Sequence, residues 1–214
     1  MEKTRSLYLM LSRTGTYTGK VIRLFTHYEY NHVSLSLDPE LRQWVSFARY
    51  AQGVPLAGGF VTESPERYLC SGGPVQVKIF RIDIPRSRYR KLRMLFAMAD
   101  QRDSGLIYNT FGAIVTPTGC RWYVPGAYTC LEFANAVLRE SHSSIRSLEE
   151  AHRDNVIFEG DLRTIAPDTG ERVGPFFRRR GFWRGTKDTT WHFARLCRRV
   201  ASRRRIDIVA ATLQ

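Results

Sequence analysis

Apolar and polar positions along the chain fall into short runs whose periods separate strands from helices. Residues 6–11 form an apolar run closed by Ser12, Arg13, Thr14 and Gly15, which predicts a buried strand ended by a turn. Residues 18–25 read as a short amphipathic helix. From His32 to Leu37, polar and apolar residues alternate strictly, the period of a half-buried strand. Asp38, Pro39 and Glu40 turn the chain, residues 43–48 alternate again, and the two runs read as an antiparallel hairpin. In that register Val33, Leu35, Leu37, Val45 and Phe47 share the apolar face, while His32, Ser34, Ser36 and Ser46 share the other. One imidazole and three hydroxyls on a single sheet face point to a site rather than to plain solvation.

Gly58, Gly59, Phe60 and Val61 read as a loop leading to another strand or edge. Residues 75–84 carry Val75, Val77 and Ile79 on one face and Phe80, Ile82 and Ile84 on the other, which predicts a central strand. Apolar residues at helical spacing, among them Leu92, Leu95 and Phe96, predict a helix over 87–102. A second helix is expected over 108–115, ended by residues 116–119. Pro125 and Gly126 precede a helix with Leu131, Ala134, Val137 and Leu138 on one face and Thr129 as its N-cap. His142, Ser143 and Ser144 are turn-like; a helix over 147–152 and a strand over 156–158 complete the compact part. No internal repeat is apparent.

With 214 residues, 43% of them apolar, the chain suits one domain with an appendage. The boundary falls near residue 165, where Pro167, Gly170, Gly174 and Pro175 mark a linker. Residues 1–165 are read as the domain and 166–214 as a basic, aromatic-rich extension. The net charge of +13 is local: twelve arginines and lysines against four carboxylates leave +8 in 166–214 and +5 elsewhere. There Arg178, Arg179, Arg180, Arg203, Arg204 and Arg205, interleaved with aromatics, could grip phosphate, stack on bases or meet an anionic lipid surface. No apolar run nears the ~20 residues of a membrane span, and residues 1–5 lack a signal-peptide core, so a cytoplasmic location is expected. The four cysteines show no Cys-x-x-Cys pair and no zinc-like spacing. Neither a disulfide framework nor a metal site is assigned, and no cofactor is expected.

Candidate chemistry centres on Cys130. In the first turn of a helix, unpaired N–H groups and the positive end of the macrodipole favour a thiolate. A histidine elsewhere can complete an activated sulfur nucleophile, and His32, on the hydroxyl-lined face, is the candidate. His27, His142, His152 and His192 read as surface or core histidines.

Three stretches in this order resemble the circularly permuted papain-like cysteine hydrolases, the NlpC-type superfamily that includes YiiX-like bacterial proteins and lecithin:retinol acyltransferase-like proteins. They are the first strand at residues 7–11, the histidine strand from Asn31 to Leu35, and the cysteine helix beginning Tyr128, Thr129, Cys130, Leu131. The histidine precedes the cysteine, the reverse of papain itself, and the resemblance covers roughly residues 6–165. It implies an α+β fold in which an antiparallel sheet packs against helices, the nucleophile heading one of them. It further implies a Cys130–His32 pair acting on an amide or ester of a peptide or acyl substrate. In such families a polar residue on the strand after the histidine strand orients the imidazole, and here that strand offers Ser46. The Cys130 N–H would be the first oxyanion donor, and Tyr8 and Tyr128 are candidates for the second. The alternative is a non-catalytic scaffold whose basic extension binds nucleic acid or anionic membrane. The sequence leaves the oligomeric state open.

Overall fold

The computed structural model describes residues 4–15, 17–52, 54–70, 72–101, 104–115, 122–166, 169–174, 176–178, 182–201 and 208–213. The chain is α+β: one eight-stranded open sheet with helices against it. In chain order the strands are β1 (Thr4–Ser12), β2 (His32–Ser36), β3 (Trp44–Ala51), β4 (Val54–Glu63), β5 (Gln76–Pro85), β6 (Ile107–Tyr108), β7 (Ala127–Tyr128) and β8 (Val156–Asp161). In space they run β7-β6-β4-β3-β2-β1-β5-β8, antiparallel except for the short β6–β7 pair.

The helices are α1 (Tyr17–Thr26), α2 (Pro65–Leu69), α3 (Arg86–Phe96), α4 (Thr110–Val115), α5 (Cys130–Leu138), α6 (Ile145–Ala151), α7 (Phe182–Ala201) and α8 (Ile208–Leu213). On one sheet face Leu7, Leu9, Leu11, Val33, Leu35, Val45, Phe47 and Phe80 pack with the apolar sides of α3, α5 and α8. On the other, Met10, Trp44, Val77 and Ile79 pack with Tyr68 and Leu69 of α2 and with Leu162. The face assignments read from alternation in β2, β3 and β5 therefore hold. β5 itself is second from the edge, between β1 and β8, and apolar on both sides because helical segments cover both.

Two local readings are corrected. Gly58 and Gly59 are not a loop but lie inside β4, paired along β3. A Cβ at Gly58 would strike the Ala48 carbonyl, and one at Gly59 would strike the Tyr50 ring, so these glycines mark close approach within a sheet. The segment from 108 is not all helix: Tyr108 ends β6, and α4 starts at Thr110.

The described part of the extension packs on the body. Leu196 of α7 is buried with Ile107, Val124 and Ala127, and Val209 and Leu213 of α8 join the main core. Residues 116–121, which include Cys120 and the expected helix end, and the linker prolines Pro167 and Pro175 lie outside the described residues.

Candidate active site

Cys130 is the first residue of α5, placed there by a complete capping box. The Thr129 backbone is extended, its side-chain oxygen accepts from the Glu132 N–H at 3.2 Å, and the Glu132 carboxylate accepts from the Thr129 N–H at 2.7 Å. Leu131, Phe133, Ala134, Val137 and Leu138 bury the opposite side of the helix. Two orphan N–H groups are satisfied, while the helix start still presents its positive end at the half-buried, free thiol.

His32 opens β2, opposite Ser12 of β1, and is buried. Its Nε2 lies 2.9 Å from Glu63 Oε2, which leaves Nδ1 as the nitrogen available to Cys130, its neighbour on the same cavity wall. Burial alone would lower the imidazole pKa, but the Glu63 carboxylate and the hydrogen bond with Cys130 outweigh it and push it up to about 10. Burial likewise opposes a charge on Glu63, yet His32 and Arg67 hold its carboxyl far below the usual range. Both shifts favour the imidazolium–carboxylate form of this buried pair.

Glu63, the last residue of β4, is the hub of the polar network. Its Oε2 accepts from Ser46 Oγ at 2.6 Å, Tyr68 OH at 2.7 Å and Ser34 Oγ at 3.0 Å, while Arg67 Nε lies 3.3 Å from Oε1. The sequence reading assigns Ser46 to the ring nitrogen; that position is taken by Glu63, and Ser46 instead braces the carboxylate. Reading Gly58 and Gly59 as a loop hides β4 and with it Glu63. The usable signal was a lone carboxylate closing the apolar run Phe60, Val61, just before Ser64-Pro65, a helix-start pattern. Ser36 leaves the network and donates to the Gln43 carbonyl at 2.5 Å, within the turn.

Cys130 and His32 line a cavity of about 250 Å³ whose walls include Tyr28, Tyr30, Tyr108 and Ile145. Arg146, also on its wall, stacks over Tyr28 at 5.1 Å. Neither tyrosine named from sequence lines it. Tyr8 alternates onto the sheet face of Met10 and Trp44, and Tyr128 packs in the main core, 5.2 Å from Phe47. The tyrosine that does line it near Cys130 is Tyr108, paired with Tyr128 across β6 and β7. Burial first, and then the neighbouring Cys130, raise its phenol pKa, so it stays a donor.

Of the basic cluster, Arg178 is exposed; Arg179, Arg180, Arg203, Arg204 and Arg205 lie outside the described residues. Among the remaining histidines, His192 is buried on α7 with Nε2 2.9 Å from Thr110 Oγ1. His142 and His152 both meet Glu140. No known protein family, curated protein or solved structure matches the chain.

Proposed function

We propose that the protein is a cysteine-dependent hydrolase or acyltransferase of permuted papain-like organisation, with Cys130 as nucleophile, His32 as proton carrier and Glu63 as the residue that orients it. The observation that carries this reading is a helix-start thiol and a buried imidazole on one cavity wall, the imidazole held by a buried carboxylate. That is the arrangement of nucleophile, base and orienter that acyl transfer requires.

In the proposed reaction Cys130 Sγ attacks the carbonyl carbon of an amide or ester. Negative charge develops on the carbonyl oxygen, and we assign the Cys130 N–H and the Tyr108 hydroxyl as the donors that receive it. His32 Nδ1 delivers its proton to the departing nitrogen or oxygen. A water, deprotonated by the same nitrogen, then cleaves the thioester and restores the thiol; an alcohol or amine in its place gives transfer instead. The aromatic and apolar cavity walls favour an apolar acyl group or side chain on the substrate.

The test is labelling by iodoacetamide at pH 6 with peptide mapping, which separates Cys130 from Cys70, Cys120 and Cys197. Cys130 in the wild type is expected to react at least tenfold faster than in His32→Ala. Equal rates would overturn the pair.

A second reading rests on α7. Trp183 is 82% and Trp191 44% exposed, the Arg195 guanidinium stacks 4.4 Å over Trp191, and Arg184, Lys187 and Arg198 are exposed beside them. Such a face suits an anionic surface, either nucleic acid or lipid, and is compatible with catalysis at Cys130. Among the described residues no helix is long and apolar enough to cross a membrane.

A further inference from the structure

Away from Cys130, three metal-ligating side chains converge where α5 and α6 end. Glu140 follows the last turn of α5, immediately after Arg139, which caps the helix in the left-handed conformation (φ 60°). His142 lies two residues on. Its backbone is clamped to α5 by Asn135, whose Nδ2 donates to the His142 carbonyl at 2.9 Å and whose Oδ1 accepts from the His142 N–H at 3.1 Å. His152 caps the C-terminus of α6 and is buried. Glu140 Oε2 lies 2.6 Å from His142 Nε2 and 3.0 Å from His152 Nε2, and the three ligand atoms all fall within 4.8 Å of one another.

We propose that Glu140, His142 and His152 form a binding site for a divalent transition-metal ion of the zinc class. Two imidazoles and one carboxylate are the ligand set such ions take, with Zn–N and Zn–O bonds near 2.0–2.2 Å. Tetrahedral coordination at those lengths separates the ligand atoms by roughly 3.3 Å. To reach it, Glu140 must draw back from His142, at 2.6 Å, by roughly 0.7 Å and from His152, at 3.0 Å, by roughly 0.3 Å, a movement within the reach of its exposed side chain. The open side at Glu140 leaves the fourth position to water. Binding replaces the hydrogen bonds between the rings and Glu140: each ring turns its Nε2 lone pair to the ion and carries its proton on Nδ1, and any second ring proton passes to solvent.

The site would join the end of α5 to the end of α6. Between those ends run Ser143, Ser144, Ile145 and Arg146, which line the Cys130 cavity, so the ion would fix one wall of that cavity without touching the sulfur. The spacing Glu-x-His followed ten residues later by His is no zinc pattern in sequence. The set is assembled by the packing of α6 and would supply a metal site where the sequence assigns none.

The test is a titration of the chelator-treated full chain with Zn²⁺ against a chromophoric competitor, with Co²⁺ absorption as the coordination signature. One ion per chain is expected, with cobalt ligand-field bands and no thiolate-to-cobalt charge transfer. His142→Ala and Glu140→Gln are each expected to weaken binding about tenfold or more, and Cys130→Ser to leave it unchanged. Both substitutions lie at surface-accessible positions, and unchanged far-ultraviolet circular dichroism checks that the variants fold. Absence of binding at 100 µM Zn²⁺ would overturn the site, as would binding that survives in both variants or is lost in Cys130→Ser.

Discussion

At the scale of single residues, Glu63 carries more than any other side chain. It is buried, it neutralises His32, and three hydroxyls and Arg67 complete its shell. Because the folded-state pKa of His32 is raised, its contribution to stability is complete below the ordinary value of 6.5 and is lost as the pH rises towards about 10. Glu63 has the opposite sense: its lowered pKa contributes above 4.5 and is lost on acidification. Urea denaturation from pH 6.5 to 10 is therefore expected to show falling stability in the wild type. Glu63→Gln should abolish that slope and cost about 3–5 kcal/mol near pH 6, since it leaves a buried imidazole without its counter-charge. Ser46→Ala should keep the slope and cost only about 1–2 kcal/mol, the loss of one charge-assisted hydrogen bond. If Ser46→Ala removed the slope instead, the serine would be the orienter. From sequence His32 and Cys130 were legible because each sits on an element with a clear period, whereas Glu63 closes a strand whose two glycines mimic a turn.

At the scale of elements, α5 and α7 show how caps and buried polar pairs place side chains. The Thr129–Glu132 capping box was half visible in sequence, through Thr129 before an apolar stripe. On α7 the buried face is His192 and Leu196, because the helix docks against β4 and β6 with its imidazole on Thr110. Burial first, and then Arg195, lower the His192 pKa to about 4. A base whose folded pKa lies below its unfolded value contributes fully above 6.5, and its contribution is lost as the pH falls towards 4. The docking of α7 is thus expected to loosen across that range, read as a change in Trp191 emission before the far-ultraviolet signal collapses. His192→Gln should flatten the change. An emission profile that titrates identically in the variant would assign it to another group.

At the scale of the whole molecule, the basic excess and the catalytic candidates occupy different parts of one body. The extension begins to contribute near the site, where Phe176 covers Arg67 at 4.2 Å and accepts from the Gln52 N–H through its carbonyl. It ends with Val209 and Leu213 in the main core. Deleting 166–214 would therefore strip core contacts along with charge, so charge reversal is the cleaner probe of α7. The triple substitution Arg184→Glu, Lys187→Glu, Arg198→Glu is expected to lower affinity for single-stranded nucleic acid or phosphatidylserine vesicles at least tenfold in 50 mM salt, with iodoacetamide labelling of Cys130 unaltered. Unchanged affinity would remove the second reading. By itself the sequence determined the alternating faces of β2, β3 and β5, the helix that begins at Cys130, and the local concentration of positive charge. Each of these follows from periodicity, capping or composition within a short window. Only the tertiary structure decided that Glu63 meets His32, that Tyr108 rather than Tyr128 faces the cavity, and that Glu140, His142 and His152 converge. Glu63 and His32 meet across 31 positions through strand order, and the Glu140 cluster forms through the docking of α6 beside the end of α5, neither of which a local pattern encodes.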